Sequence, residues 1–171
     1  MKNIAYFVSR VKAKLTGSDE TYAKLFRKQG MKIGNNSHIY SNIITPESFL
    51  IEIGDNVTIS SEVIFVTHDN SIIKLDSGLP NLFGKITIGN NCFIGQRSTL
   101  LYGVTLANNI IVATGSVVTK SFSEENIIIA GNPARIVGTW ENFYNKRKEY
   151  GLSRANIQKV LAKNPERLVK R

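Results

Sequence analysis

The stretch IGNNCFIGQRSTLLYGVTLANNIIVATGSVV, residues 88–118, decides the fold of this chain. An aliphatic residue recurs at every sixth position, at Ile88, Ile94, Leu100, Leu106, Val112 and Val118. An α-helix would repeat its apolar residues about every 3.6 positions and a lone strand about every 2. A six-residue period instead fits a short strand followed by a tight turn. Three such units close one triangular coil, and stacked coils form a solenoid with a continuous core.

The same period continues towards the N-terminus. Large apolar residues stand at Ile53, Ile59 and Phe65, and an earlier pair, Ile33 and Ile39, has the same spacing. Gly or Ala often follows the apolar residue, and Asn pairs fall between the strands at 35–36, 90–91 and 108–109. Gly and Asn adopt positive φ at little cost, so we expect them to form the turns.

The repeat is interrupted twice. Ile33 and Ile53 are twenty residues apart rather than eighteen, which predicts a bulge of two residues in an early coil. Seventeen extra residues follow Phe65 before the next regular coil opens at Ile88. We therefore expect residues 69–85, which contain Gly78, Pro80 and Gly84, to protrude as a loop. Long loops on a rigid scaffold are usually functional or disordered.

The two ends have helical patterns. Amphipathic spacing predicts helices over 4–15 and 19–29, and a helix over 140–150 that is capped by Thr139 and ended by Gly151, with a further helix after Ser153. These patterns divide the chain into an N-terminal helical segment (1–32), a β-solenoid domain (33–138) and a C-terminal helical segment (139–171).

Composition excludes several classes of protein. The chain has 171 residues, 42% of them hydrophobic, which is enough for one domain with a sizeable core. No apolar run approaches the roughly twenty residues of a membrane helix. A single cysteine, Cys92, excludes an internal disulfide, and two histidines, His38 and His68, restrict metal chemistry severely, so we expect no metal.

Charge is distributed unevenly along the chain. The formal net charge of +9 divides into +6 for residues 1–32, −4 for 33–134 and +7 for 135–171. Basic ends can meet nucleic acid, anionic lipid or a polyphosphorylated ligand, or can be solvated helix faces. Because no nucleic-acid-binding motif or aromatic platform accompanies the charge, we expect no nucleic-acid partner. The basic, amphipathic N-terminus predicts a peripheral contact with anionic membrane.

Five segments together carry a resemblance to a known family. They are the hexapeptide pattern itself, FVTHDN at 65–70, FGKITIGNNCFIG at 83–95, GSVVTK at 115–120 and AGNPAR at 130–135. With them, residues 31–138 resemble the hexapeptide-repeat acetyltransferases, nearest to the branch that O-acetylates sugars of cell-surface polysaccharides. The resemblance implies a mainly β fold, a left-handed parallel β-helix, to which the patterns above add short N-terminal helices, a protruding loop and C-terminal helices. It also implies a homotrimer with acetyl-CoA held between neighbouring subunits.

The resemblance makes His68 the catalytic residue. In the family, the matching histidine acts as general base and no acyl-enzyme forms. Imidazole suits this role because transfer of an acetyl group to a hydroxyl needs a base for the hydroxyl proton near neutral pH. Asp69 is the first candidate for a partner that orients the imidazole, and Glu52 and Glu62 are weaker candidates. His38 is more consistent with a structural role, and Cys92 with a small buried hydrophobe.

Family positions also indicate the residues that bind CoA. Lys120 and Arg135 match family positions near the phosphates or the adenine end of CoA. For binding phosphate, a lysine offers a point charge and an arginine a bidentate fork. The remaining cofactor positions are Ala113, Gly115, Thr119, Ala130 and Gly131. Two departures from the family pattern are Ala113–Thr114–Gly115, where Gly-Ala-Gly is more usual, and Tyr102, where proline is frequent.

Coil arithmetic adds Gly103 to the cofactor positions. His68 is three residues after Phe65, and Gly103 is three residues after Leu100, so the two stack in adjacent coils. Gly103 either makes the turn or leaves room for a thin ligand such as a pantetheine arm.

We therefore predict a cytoplasmic acetyl-CoA-dependent O-acetyltransferase, partly at the inner membrane face. Its acceptor is a sugar, sugar nucleotide or oligosaccharide, and the loop at 69–85 shapes the acceptor pocket. N-acetylation of an amino sugar nucleotide or a xenobiotic remains an alternative, because an amine needs the same base. A non-catalytic β-helix scaffold is the alternative from another class. A β-helix carbonic anhydrase would need three zinc-binding histidines, and the chain has two.

Overall fold

Three parallel sheets form the faces of a triangular prism. The structure is a computed structural model that describes residues 20–169 together with Ile4, Phe7, Val8 and Val11. The first face contains β1 (Lys32–Ile33), β3 (Ile51–Ile53), β8 (Ile86–Ile88) and β11 (Thr105–Leu106). The third face contains β5 (Ile64–Phe65), β10 (Thr99–Leu100) and β13 (Val117–Val118).

The second face is the longest of the three. It contains β2 (His38–Ile39), β4 (Thr58–Ile59), β9 (Phe93–Ile94), β12 (Ile110–Val112) and β14 (Ile127–Gly131), with β15 (Ala134–Thr139) paired antiparallel to β14 at its end. Two further strands, β6 (His68–Asp69) and β7 (Leu82–Phe83), form a separate antiparallel ribbon.

The strand registers confirm the six-residue repeat. Ile53 lies opposite Ile88 on the first face, Ile59 opposite Ile94 on the second, and Phe65 opposite Leu100 on the third. The apolar residue of each unit points inward and is buried, so the stacked coils share one core; its members include Ile39, Ile59, Ile86, Ile94, Leu100, Leu106, Ile110, Val112, Val118 and Ile129. Because Phe65 and Leu100 are paired, the seventeen extra residues are confined to the loop between β5 and β8.

The first corner of the prism, between the first and second faces, is held by asparagine ladders. Asn36, Asn56, Asn91 and Asn109 all have φ near +55°. Each of the first three donates its side-chain amide to the Oδ1 of the next, at 2.8–3.2 Å. The Asn pairs therefore make the turns, as the sequence predicts, and their side chains also tie successive coils together.

A helix covers the open edge of the first coil. Helix α1 (Glu20–Lys28) buries Ala23 and Phe26 against the core. From its last turn, Arg27 donates to the carbonyl oxygens of Ile33 and Gly34 at 2.9 and 2.7 Å. These bonds use carbonyl groups that would otherwise be exposed at a sheet edge. Apart from the four helical positions noted above, the predicted helix over 4–15 lies outside the described residues.

Helices also follow the solenoid at its C-terminal end. Helix α2 (Trp140–Arg147) begins after Thr139, whose hydroxyl accepts the backbone N–H of Asn142 at 3.3 Å, and a 3₁₀ turn at Lys148–Tyr150 ends at Gly151. Helix α3 (Ile157–Lys163) follows Ser153, as predicted. Among the helices that the structure describes, none is long and apolar enough to cross a bilayer.

Candidate functional site

His68 lies at the third corner of the prism, which we define as the turns that leave the third face. The β6–β7 ribbon begins at this corner, so His68 is the first residue of the protruding loop. Its side chain is 41% exposed. The histidine is therefore anchored to a rigid coil on one side and open to an incoming molecule on the other.

The Nδ1 atom of His68 lies 3.0 Å from Oε2 of Glu47. A carboxylate accepts only, so this contact places the imidazole proton on Nδ1 and leaves the lone pair on Nε2. In the described part of the chain no hydrogen bond engages Nε2. The carboxylate thus sets the tautomer and the orientation of the imidazole.

Two threonines hold Glu47 in place. Thr67 Oγ1 donates to Glu47 Oε2 at 2.8 Å, Thr45 Oγ1 lies 3.2 Å from the same oxygen, and the two hydroxyls are 2.7 Å apart. Partial burial acts to raise the pKa of Glu47, but the hydrogen bonds from Thr67, His68 and Thr45 outweigh it. The pKa of Glu47 therefore lies below its ordinary value of 4.5, and the group is ionised at neutral pH.

The irregular first coil is what brings Glu47 to His68. Stacked residues are 20 apart at Ser37 and Val57, but 22 apart at Thr45 and Thr67. Buried Ile43 thus takes the inward position opposite Phe65. Compared with a regular coil, this coil lacks two residues before Ile43 and has four additional residues after it. The net bulge of two is confirmed, and the four added residues form the turn around Glu47 and the 3₁₀ helix Ser48–Leu50.

Sequence reasoning missed Glu47. The signal for it was the displaced register between Ile33 and Ile53, which marks an irregular corner directly below His68 in the stack. Periodicity alone could not show which of the three corners holds the extra residues, because any of them would give the same total.

The structure places Asp69 away from the imidazole nitrogens. Its Oδ1 accepts the backbone N–H of Ser71 at 2.7 Å, and its Oδ2 accepts the Tyr102 hydroxyl at 3.3 Å. The hydrogen bonds from Ser71, with a contribution from Tyr102, lower the pKa of Asp69. Burial, together with the charge of Asp69, raises the pKa of Tyr102. Asp69 therefore anchors the root of the loop to the next coil.

The weaker carboxylate candidates are occupied elsewhere. Glu52 is paired with Lys32 and Lys85, whose bonds lower its pKa. Glu62 is paired with Arg97 Nε at 2.6 Å on the second corner, which comprises the turns between the second and third faces. Cys92 is buried and its thiol lies 3.2 Å from the Ala107 carbonyl oxygen; burial raises its pKa, which fits the structural role. His38 lies on β2, away from the third corner.

Two kinds of glycine stand at the corners of the prism. A Cβ atom on Gly54, Gly89 or Gly95 would lie within 3 Å of the backbone of the next coil, so these glycines allow close stacking. Gly103 (φ +78°) and Gly115 (φ +74°) need positive φ, yet a Cβ there would meet nothing within 4 Å. Gly103 therefore makes a turn and also leaves open space beside its backbone, in the coil next to His68.

The predicted cofactor residues lie on two separate corners of one chain. Gly103, Thr119 and Lys120 are on the third corner with His68, and the Lys120 ammonium lies 5.4 Å from the centroid of the Phe122 ring. The others, Ala113, Gly115, Ala130, Gly131 and Arg135, follow second-face strands or the β14–β15 hairpin. The third face separates the two groups, so one chain does not bring them together.

No metal site accompanies these residues. Within residues 20–169, His, Cys, Asp and Glu side chains do not gather in any group of three that would hold a metal ion.

Comparison with known proteins gives relatives with the same repeat. A family model described as the hexapeptide repeat of succinyl-transferase matches residues 85–120. Protein CapG of Staphylococcus aureus is 40% identical over 125 residues, which are 70% of this chain and 72% of CapG. Galactoside O-acetyltransferase of Escherichia coli K12 is 34% identical over 61% of this chain, and the match spans 52% of that enzyme, about half of its length.

A solved structure shares the fold. It is a hexapeptide-repeat-containing acetyltransferase of Vibrio cholerae O1 biovar eltor in complex with acetyl-coenzyme A, 25% identical, with a TM-score of 0.57 over 70% of this chain and 76% of that chain. The prism described above is thus a left-handed parallel β-helix. The chain belongs to the hexapeptide-repeat acetyltransferases, which are acyltransferases.

Proposed function

We propose that the protein is an acetyl-CoA-dependent O-acetyltransferase that acts on a sugar hydroxyl during cell-surface polysaccharide synthesis. The observation that carries the proposal is the Glu47–His68 pair at an open corner of the β-helix, 3.0 Å apart. The galactoside O-acetyltransferase and the acetyl-coenzyme A complex among its relatives support the donor and the class of acceptor. The role in surface polysaccharide rests on the resemblance of the quoted motifs to the branch of the family that O-acetylates such polysaccharides.

His68 acts as the general base in this proposal. Its Nε2 accepts the hydroxyl proton as the acceptor oxygen bonds to the acetyl carbonyl carbon, and the same nitrogen returns the proton to the departing CoA thiolate. Glu47 stabilises the imidazolium that forms in between, because its carboxylate faces Nδ1. Transfer is direct, and no side chain becomes acetylated.

Open backbone at Gly103 and Gly115 fits a thin donor molecule. Acetyl-CoA supplies an activated acetyl group as a thioester when bound. A pantetheine arm would pass Gly103, beside His68, and Lys120 and Arg135 would pair with the phosphates. Because these residues lie on two corners, the proposal includes a homotrimer in which the third corner of one subunit faces the second corner of its neighbour.

Thiol release from acetyl-CoA tests the proposal. Wild type and His68→Ala are assayed over a panel of sugars, sugar nucleotides, oligosaccharides and amino sugars. We expect sugar-dependent thiol release, and a fall in kcat of about 10²–10⁴-fold in His68→Ala, because a general base contributes that much. CoA affinity, measured by calorimetry, stays unchanged. Full activity in His68→Ala, or transfer to amines alone, contradicts the proposal.

The location at the inner membrane face is a separate prediction. Ile4, Phe7, Val8 and Val11 have helical spacing, are in helical conformation and are 45–69% exposed, within a segment of net charge +6. Such a segment can insert its apolar side chains among anionic lipids. We expect the wild type to float with anionic vesicles and the Lys12→Glu/Lys14→Glu variant to float less; equal flotation contradicts the prediction.

A further inference from the structure

We propose that Asp69, Phe83 and Tyr102 form an acceptor subsite that selects a neutral sugar ring over an acidic one. This inference rests on the proposed function and specifies its substrate class. The three residues come from different parts of the sequence: the start of the loop, its return strand and the next coil.

The three side chains are arranged around His68. Asp69 follows His68 on β6, and Phe83 pairs with His68 across the ribbon, with the two ring centroids 5.9 Å apart. Tyr102 joins the group through its hydroxyl, which donates to Asp69 Oδ2 at 3.3 Å. The group therefore lies beside the imidazole to which the acceptor hydroxyl is proposed to bind.

Aromatic rings and a carboxylate suit a pyranose. Phe83 is 58% exposed although it is apolar, so its ring is available to the C–H face of a sugar. The Oδ1 atom of Asp69 accepts the backbone N–H of Ser71, and its Oδ2 atom accepts the Tyr102 hydroxyl. A carboxylate has about four lone-pair positions, so Asp69 retains capacity for sugar hydroxyls.

The charges around His68 disfavour an anionic acceptor. Glu47 and Asp69 are both carboxylates whose pKa lies below the ordinary value, so both are negative at neutral pH. Of the lysines placed near this corner above, Lys85 is paired with Glu52 on the first face, and Lys120 lies over the Phe122 ring and pairs with the CoA phosphates in the proposed function. A uronic acid at this corner would meet two like charges, which raises its free energy of binding.

Matched pairs of acceptors test the subsite. Methyl glycosides of gluco, galacto and manno configuration are compared with the corresponding methyl glycosiduronic acids, using thiol release by wild type, Asp69→Asn and Tyr102→Phe. We expect wild-type kcat/KM to be at least about tenfold higher for the neutral member. Asp69→Asn should bring the ratio towards one, and Tyr102→Phe, which keeps the ring, should raise KM for the neutral acceptor more than it lowers kcat.

Asp55→Asn is the control for the charge change. Asp55 Oδ1 also accepts a backbone N–H, from Asn35 at 2.6 Å, but it lies on the first corner, so the ratio should remain that of wild type. His68-dependent transfer that prefers the uronic member, or an unchanged ratio in Asp69→Asn, overturns the subsite and leaves the acetyltransferase intact. Absence of transfer to any sugar hydroxyl overturns the proposed function itself. If Asp69→Asn does not fold, the wild-type ratio and Tyr102→Phe still decide.

Discussion

A single carboxylate oxygen, Glu47 Oε2, receives contacts from Thr45, Thr67 and His68. The two threonines are almost fully buried, so water cannot replace their hydroxyls. The carboxylate is thus held in one orientation, and the imidazole that it contacts is held in one tautomer. Such fixed geometry is what an enzyme needs at a general base, because misplacement by about 1 Å can cost 10²-fold in rate.

Glu47→Gln should separate the effect of the charge of Glu47 from the effect of its size. The amide keeps the size of the side chain but loses the charge that stabilises the imidazolium, so we predict a fall in kcat of roughly 10- to 1,000-fold. The acceptor KM should change little, because Glu47 contacts the imidazole rather than the acceptor in the proposed function. Below pH 4.5 the wild type loses this contribution too, as Glu47 becomes protonated when the pH falls through its lowered pKa.

Glu62→Gln is the matched control for Glu47→Gln. Its carboxylate pairs with Arg97 on the second corner, so kcat should equal that of wild type. A kcat in Glu47→Gln equal to that of wild type would contradict the role given to Glu47.

The sequence could predict His68 but not its partner. His68 stands in a segment, FVTHDN, that resembles the family, and its position before the loop follows from counting. Glu47 occupies an irregular turn, where residues 22 apart are stacked instead of 20, and no periodic rule anticipates such a change. Asp69 is adjacent in sequence to His68, but alternation along β6 turns its side chain to Tyr102 instead.

At the scale of elements, the turns at the corners of the prism add hydrogen bonds between coils to those that its strands make. Most strands are two or three residues long, so each has few hydrogen bonds of its own. The first corner adds side-chain ladders, in which Asn91 accepts from Asn56 and donates to Asn109, both at 2.8 Å. These bonds connect three successive coils and fix the stacking on which the position of His68 depends.

Substitutions at Asn91 should show two contributions to stability, that of the positive φ and that of the side-chain hydrogen bonds. Asn91 has φ +55°, a conformation that costs an ordinary residue about 1–2 kcal/mol and glycine almost nothing. We predict that Asn91→Ala lowers the free energy of unfolding by about 2–3 kcal/mol, since it also loses two hydrogen bonds. Asn91→Gly, the matched control, should lose about 1 kcal/mol less than Asn91→Ala.

Urea unfolding at a fixed protein concentration measures the two Asn91 variants. Equal losses in the alanine and glycine variants would show that backbone conformation does not matter at this corner.

The strands that follow the repeat could be predicted from the sequence. For the loop, only its length and position could be predicted. The seventeen added residues followed from counting, and their bounds agree with the pairing of Phe65 to Leu100. The internal structure of the loop could not be obtained by counting residues. It is a ribbon of β6 and β7 with a 3₁₀ helix at Ser71–Lys74. Its strands are two residues long, too short for any alternation to appear in the sequence.

At the scale of the whole molecule, one chain separates the residues that are proposed to bind the donor. His68, Gly103 and Lys120 lie on the third corner, and Gly115, on the second corner, lies across the third face. Ile64, on that face, is 56% exposed. Neighbouring subunits placed side by side would unite the two groups and cover this face, which is why the proposal requires an oligomer.

Light scattering tests the oligomer. We predict a mass about three times the 19.0 kDa of the chain, and a loss of activity on dilution to the monomer, because each site then lacks one of its walls. A monomer that retains full turnover would rule out a shared site. The sequence predicts this assembly only through family resemblance, since no residue pattern within one chain records how its faces meet a second copy.

The most direct measurement is a crystal structure of the protein with acetyl-CoA. The account predicts that the acetyl carbonyl carbon lies at the third corner, where an oxygen hydrogen-bonded to His68 Nε2 at about 2.6–3.2 Å could approach that carbon to about 3–3.5 Å. Gly103 should line the pantetheine arm, and Glu47 should remain on Nδ1. A thioester bound at another corner, with its sulfur remote from the imidazole, would contradict the account.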